Sequence, residues 1–193
     1  MKRKMQVTRE ISFTEFSDIY NRYLVEDFPE DEVKPLYVIE NAFVANKYTA
    51  YALEEDSKVK AYASFMWKDK DLLLLDYFAV TQEAGRGGGI GSIFLQKLAQ
   101  SIKAKGFIIE CEAPEKAINE EERLIREKRI AFYERNGVER TTVTAEVVGV
   151  DFRLLYMPIE AGVESIDMET DFLSIYHNLD PKEFYRKFVK IIS

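Results

Sequence analysis

The run Leu72-Leu-Leu-Leu-Asp-Tyr-Phe-Ala-Val80, followed by Thr-Gln-Glu-Ala-Gly-Arg-Gly-Gly-Gly-Ile-Gly-Ser92, constrains this chain more than any other segment. Its first part is an apolar stretch with one charge, Asp76, and reads as a strand. Of the nine glycines in the chain, five then lie between Gly85 and Gly91, and the residues after them have helical periodicity. Without Cβ atoms, a loop of this kind brings backbone N–H groups close to a bound oxyanion. The helix start adds N–H donors without intrahelical partners and a partial positive charge. Strand, glycine loop and helix together predict an anion site, suited to a pyrophosphate.

Familiar phosphate motifs fit these letters poorly. A Walker loop requires a lysine after its last glycine, and no lysine occurs between Lys70 and Lys97. A dinucleotide fingerprint requires Gly-x-Gly-x-x-Gly. Started at Gly87 or Gly89, its third glycine falls on Ser92 or Phe94. Glu110 and Glu112 do stand about 20 residues further on, as that motif would need. No series of βα units follows, however, and the motif comes late in the chain.

The pattern that fits is Arg86-x-x-Gly89-x-Gly91. It resembles the Arg/Gln-x-x-Gly-x-Gly/Ala coenzyme A loop of the GNAT superfamily of N-acetyltransferases. A second segment, Phe132-Tyr-Glu-Arg-Asn-Gly137, is similar to the Phe-Tyr-x-x-x-Gly-Phe ending of that family's following helix. The resemblance covers roughly residues 48 to 158. It implies an α/β fold with a mixed, mostly antiparallel central sheet flanked by helices, and acetyl-CoA as acyl-donor co-substrate. It further implies that Arg86, Gly87, Gly88, Gly89, Ile90, Gly91 and Ser92 hold the pyrophosphate. Phe78, Ala79 and Val80 would align the pantetheine arm as an added strand. Two departures stand out. The helix residues that in the family are an asparagine and an alanine are here Arg126 and Arg129, and the usual basic residue between the loop glycines is Gly88.

Composition narrows the class. A chain of 193 residues, 47% hydrophobic, buries one good core. It is expected to form a single domain over 1–193, with a core at about 6–158 and a helical C-terminal extension at about 165–193. No apolar run approaches the roughly 20 residues of a membrane span. The N-terminal Met-Lys-Arg-Lys-Met-Gln lacks the apolar segment of a signal peptide. A lone cysteine, Cys111, permits no internal disulfide and suits a reducing cytoplasm. The net charge of −7 argues against a nucleic-acid partner and agrees with a cationic substrate.

The remaining elements follow from periodicity. Gln6 to Ile11 predicts a strand, and Ser12 with Glu15 a capping box that opens a helix through Phe16, Ile19, Tyr20 and Tyr23. Asp27 to Glu32 breaks it, and a second helix runs to about Asn46. Tyr48–Leu53 and Lys58–Met66 read as paired strands. Ile90, Phe94, Leu98 and Ile102 form the buried stripe of the helix after the loop. Phe107–Cys111 reads as a strand, Asn119–Asn136 as a charged helix stopped by Gly137, and Thr141–Val148 and Asp151–Met157 as strands. The tail predicts two amphipathic helices, Thr170–Leu179 and Pro181–Ile192, the second lined by Phe184, Phe188 and Ile191. Their apolar faces either pack on the sheet or pair two subunits as a homodimer.

Two residues are the candidates for chemistry. Tyr133, by its place in the family motif, is the expected general acid for the departing thiolate. A phenol of ordinary pKa about 10 can protonate a thiolate near 8.5. Asp76 is expected either to accept the amine's proton, to hold a cationic substrate, or to be bonded within the sheet. Glu110 and Glu112 border Cys111 and are weaker candidates. Cys111 reads as a small core residue. His177 stands without a second histidine, so neither a triad nor a metal cluster is predicted, and no metal is expected. The acceptor is expected to be a small-molecule or peptide amine, with the acidic Glu26–Glu32 segment suited to a cation. A non-catalytic acyl-CoA-binding module, and transfer of a bulkier acyl group, are the other functions the letters permit.

Overall fold

The computed structural model describes residues 6–30, 32–85, 88–160, 166–179 and 187–192. The chain divides into two compact units. The first comprises residues 1–66 and 75–102, the second residues 67–74 and 103–193. Eight strands, mostly antiparallel, and six α-helices among the described residues make an α/β fold. None of these helices is long and apolar enough to cross a membrane.

In the first unit the strand order is β1 (Gln6–Ile11), β2 (Tyr48–Glu55), β3 (Lys58–Trp67) and β4 (Leu72–Val80), with β1–β2 and β2–β3 antiparallel. Ser12 caps α1 (Phe13–Ile19) through the expected box. Its hydroxyl accepts from Glu15 N–H at 3.3 Å, and the Glu15 carboxylate accepts from Ser12 N–H at 2.8 Å. A π-helical turn, Tyr20–Leu24, continues the helix into the short α2 (Val25–Asp27). The wide turn directs Arg22 and Tyr23 at Glu83, which accepts from them at 2.7 and 3.3 Å. Helix α3 (Leu36–Val44) follows. The core between these helices and β2 is largely aromatic. Phe13, Phe16, Phe43 and Tyr48 pack with ring centroids 5.2–6.0 Å apart. In α4 (Ile90–Ser101), Phe94, Leu95 and Leu98 are buried, as is Ile102 just beyond it, while Ile90 is part-exposed.

The second unit orders its strands β5 (Gly106–Glu112), β7 (Val150–Pro158), β6 (Glu139–Val147) and β8 (Val189–Ile191), antiparallel throughout. Its core draws on Phe107, Ile108, Leu154 and Leu155, on Ile130 from α5 (Glu120–Arg135), and on Phe172 and Ile175 from α6 (Met168–Leu179). Asn119 caps α5, its side chain accepting from Glu122 N–H at 2.8 Å. The expected second tail helix needs correction. Residues 180–186, Phe184 among them, lie outside the described residues, and Val189–Ile191 pair with β6 as a strand. The alternation there, with Val189 buried and Lys190 exposed, is a strand's period of two that a helical reading of three aromatic and aliphatic positions overlooks.

The β6–β7 hairpin turns at Val148-Gly149, with φ of +50° and +83°. Both central residues of such a turn are left-handed, a geometry that favours Asn-Gly and disfavours a β-branched side chain. Val148 is 54% exposed, so it gains little from burial. Val148→Asn is expected to stabilise the protein by about 1 kcal/mol, read as a raised midpoint in denaturant unfolding.

Candidate active site

In the first unit, β4 delivers the chain to the glycine loop. Thr81 anchors its end: the buried residue donates its N–H to Lys60 C=O at 2.9 Å, and its hydroxyl reaches Val59 C=O at 3.1 Å. A single 3₁₀ turn, Gln82–Ala84, follows. Arg86 and Gly87, expected to bind phosphate, lie outside the described residues. Gly88 and Gly89 are exposed, and Ile90, Gly91 and Ser92 part-exposed. Gly89 is the N-cap of α4, at φ +66°, ψ 13°, and no side chain caps this helix. The first intrahelical bond is Ile93 N–H to Gly89 C=O, 3.0 Å. The N–H groups of Ile90, Gly91 and Ser92 therefore stand in the first turn, where a helix has no carbonyl to offer them. A Cβ added at Gly85 or Gly89 would meet nothing within 4 Å. The opening, the donors and the helix dipole fit an anionic group.

The strand before the loop is accessible along one stretch. Leu72 to Leu75 and Tyr77 are buried, whereas Asp76, Phe78, Ala79 and Val80 are part-exposed. The Asp76 side chain is only 2% exposed, so the accessible part of that residue is its main chain. The Phe78 ring is stacked on Phe94, centroids 5.6 Å apart and planes at 20°. Phe78, Ala79 and Val80 are thus the accessible residues of β4 at the end nearest the loop.

Asp76 has its own partners. One carboxylate oxygen takes a hydrogen bond from Lys34 Nζ at 2.6 Å, and the other from Tyr48 Oη at 2.5 Å. Tyr48 in turn bonds Ser64 Oγ at 2.8 Å. Complete burial, reinforced by the Asp76 charge, holds the Tyr48 phenol well above its ordinary pKa. Tyr77 Oη accepts the Lys34 N–H at 2.8 Å and donates to Glu32 C=O at 2.9 Å. Of the three roles foreseen for Asp76, the structure displays a bonded carboxylate holding a cation, and that cation belongs to the chain itself. In the acidic segment, Asp27 accepts from Tyr62 Oη at 2.8 Å, while Glu26, Glu30 and Glu32 are exposed and Asp31 lies outside the described residues. A groove of about 710 Å³ in this unit opens between α1, the π-helical turn and the β2–β3 hairpin. Arg22, Tyr23, Lys60 and Glu83 line it, and neither Asp76 nor Phe78–Val80 does.

The second unit contains Tyr133, on α5. It is 7% exposed, with its ring edge-on to Phe132 at 5.2 Å. Burial raises the phenol well above its ordinary pKa, more than the Arg129 charge lowers it. Cys111 is 1% exposed, and burial pushes its thiol up to about 12, which suits an inert core residue. Glu110 accepts from Tyr176 Oη at 2.8 Å. Glu112 pairs with Arg126 at 2.8 Å and with Arg129 at 3.3 Å. Arg126 is buried and also bonds Ala113 C=O at 2.9 Å and Glu122 at 2.7 Å. Both arginines that depart from the family pattern are thus engaged with the chain's own groups. His177 is exposed on α6. Sequence reasoning missed Lys34, Tyr48 and the Arg126–Glu112 pair. Its one usable signal was that a lone carboxylate on an apolar strand requires a counter-charge.

An α/β protein with an uncapped, glycine-initiated helix at the end of an accessible strand has the form of an enzyme that handles an anionic carrier. Residues 13–138 match the acetyltransferase (GNAT) family, and the chain belongs to that family. No curated protein matches it at a significant level. Among solved structures, a protein assigned to the GNAT family from Bacteroides thetaiotaomicron is 21% identical, with a TM-score of 0.67 over 90% of this chain and 95% of that one. The ribosomal-protein-S18-alanine N-acetyltransferase from Escherichia coli is 19% identical, with a TM-score of 0.58 over 84% and 99%. A GNAT family acetyltransferase from Elizabethkingia anophelis, with acetyl-CoA bound, is 13% identical, with a TM-score of 0.55 over 79% and 97%. At these identities the likeness is one of fold.

Proposed function

We propose that the protein is an N-acetyltransferase that passes the acetyl group of acetyl-CoA to a primary amine by direct attack in a ternary complex. The observation that carries this reading is the join of β4 to α4: part-exposed Phe78, Ala79 and Val80, then a helix start whose N–H groups no side chain caps. Family membership supplies the reaction class. The Elizabethkingia relative holds acetyl-CoA, and the Escherichia coli one acetylates an amine, which supports the choice of donor and acceptor.

Acetyl-CoA supplies the activated acyl group. Gly88, Gly89, Ile90, Gly91 and Ser92, with Arg86 and Gly87, bind its pyrophosphate through backbone donors and the arginine. Phe78, Ala79 and Val80 align the pantetheine arm, and a backbone N–H of this stretch serves as the oxyanion donor. Tyr133 is protonated throughout the neutral range, as a phenol of ordinary pKa about 10 is, and burial raises its pKa further. A phenol held that high does not favour outright transfer to a thiolate of ordinary pKa about 8.5. Its role is therefore hydrogen-bond donation to the departing sulfur. Asp76, whose carboxylate is already bonded to Lys34 and Tyr48, is given no proton-transfer role.

A second reading, an acyl-CoA-binding module without turnover, is favoured by the same burial of Tyr133. The two differ in one experiment. Tyr133→Phe is expected to keep acetyl-CoA affinity and, by removing one hydrogen-bond donor to developing charge, to lower kcat at pH 7 by about 100-fold. Initial rates varied in both substrates should give intersecting lines. Parallel lines would mean a covalent acetyl-enzyme, and binding without acylation of any amine would favour the module.

A further inference from the structure

Phe28, Glu32 and Lys34, which lie between α2 and α3, are fastened to β4 by a set of contacts that the reaction as described leaves unused. Lys34 Nζ meets the Asp76 carboxylate at 2.6 Å, with side chains 14% and 2% exposed, and lies 5.4 Å from the centroid of the Tyr77 ring. Tyr77 Oη bridges Lys34 N–H and Glu32 C=O, and Tyr20 Oη donates to Lys34 C=O at 2.9 Å. Phe28 packs edge-on against Tyr77, centroids 5.0 Å apart. Residues 28 and 32–34 are thus held against Asp76 and Tyr77, directly before the accessible stretch Phe78–Val80.

The direction of β4 gives this attachment its meaning. The glycine loop follows Val80, so an arm that begins with its pyrophosphate at the loop runs back along the strand. Its reactive end then lies toward Asp76–Phe78, beside the fastened segment. We propose that the Asp76–Lys34 pair is a positioning device for acyl transfer, fixing the wall against which the acceptor amine is presented. A buried ion pair is a poor source of net stability but a good source of fixed geometry, since breaking one partner leaves a charge unmatched. This inference rests on the acetyltransferase reading.

The test uses Lys34→Met, Asp76→Asn and the conservative Lys34→Arg. The acceptor probes are 1,4-diaminobutane and a lysine-containing tripeptide, whichever the unaltered protein acetylates faster. In the first two variants, KM for the probe is expected to rise at least about tenfold, while acetyl-CoA affinity by calorimetry changes by less than about threefold. Amide exchange at Lys34, whose N–H is bonded to Tyr77, should speed up in parallel, and Lys34→Arg should restore both. Faster exchange with unchanged KM would make the pair structural only and overturn the proposal. An equal loss of acetyl-CoA affinity would overturn it as well. Failure of the unaltered protein to acetylate either probe would refute the acetyltransferase reading for these amines, and the proposal with it.

Discussion

Gly89→Glu is expected to weaken acetyl-CoA binding by at least about 100-fold, equivalent to roughly 2.7 kcal/mol. Two effects combine. The new carboxylate stands at the N-cap of α4, where it takes up the first-turn N–H groups and the positive end of the helix dipole. It also sets a negative charge against the phosphates, a juxtaposition that costs several kcal/mol. The fold should survive, because a Cβ at this position meets nothing within 4 Å. The backbone, at φ +66°, imposes about 1–2 kcal/mol on any L side chain. Capping by the carboxylate offsets part of that strain. Gly89→Ala carries the same backbone strain without the charge and is the control: it should lose far less affinity. Equal losses in the two variants would mean that loop geometry, not anion binding, is what the glycine provides.

Gly106→Ala is expected to destabilise the protein by about 3 kcal/mol or more, at the upper end for an inserted methyl. Gly106 opens β5 opposite Pro158 of β7. A Cβ there would stand 2.2 Å from Tyr156 Oη and 2.5 Å from the carbonyl oxygen of Met157. The tyrosine ring can swing only by giving up its 3.2 Å bond to Lys105 C=O. The carbonyl belongs to a strand whose register continues through six further pairs, from Phe107–Met157 to Glu112–Phe152, so it cannot retreat alone. Urea denaturation measures the loss. An unchanged midpoint would mean that β7 shifts readily and that the close approach at Gly106 is dispensable.

What the letters conveyed and what they withheld divide along physical lines. The capping box at Ser12, the β2–β3 pair, the signature strand and the α4 stripe were legible, because each is a local pattern of period two or 3.6 or a cap at fixed spacing. The glycine cluster was legible as the loop that opens α4 for the same reason. The Asp76–Lys34 pair was not: its members stand 42 positions apart, and only the folding of β4 against the segment before α3 joins them. Tyr133 was legible as a motif residue, yet its burial, which raises its pKa, is a tertiary property that no local pattern encodes. Arg126 showed itself in sequence only as a departure from the family pattern. Its bonds to Glu112 and Ala113 depend on where β5 ends. The strand at Val189–Ile191 was misread because three residues carry too short a period to distinguish from a helix flank.

The central claim, that the β4–α4 junction is an acetyl-CoA site, is tested most directly by calorimetric titration of the unaltered protein with acetyl-CoA. One site per chain at micromolar strength is expected, abolished by Arg86→Glu together with Gly89→Glu. No heat and no competition at millimolar acetyl-CoA would contradict it.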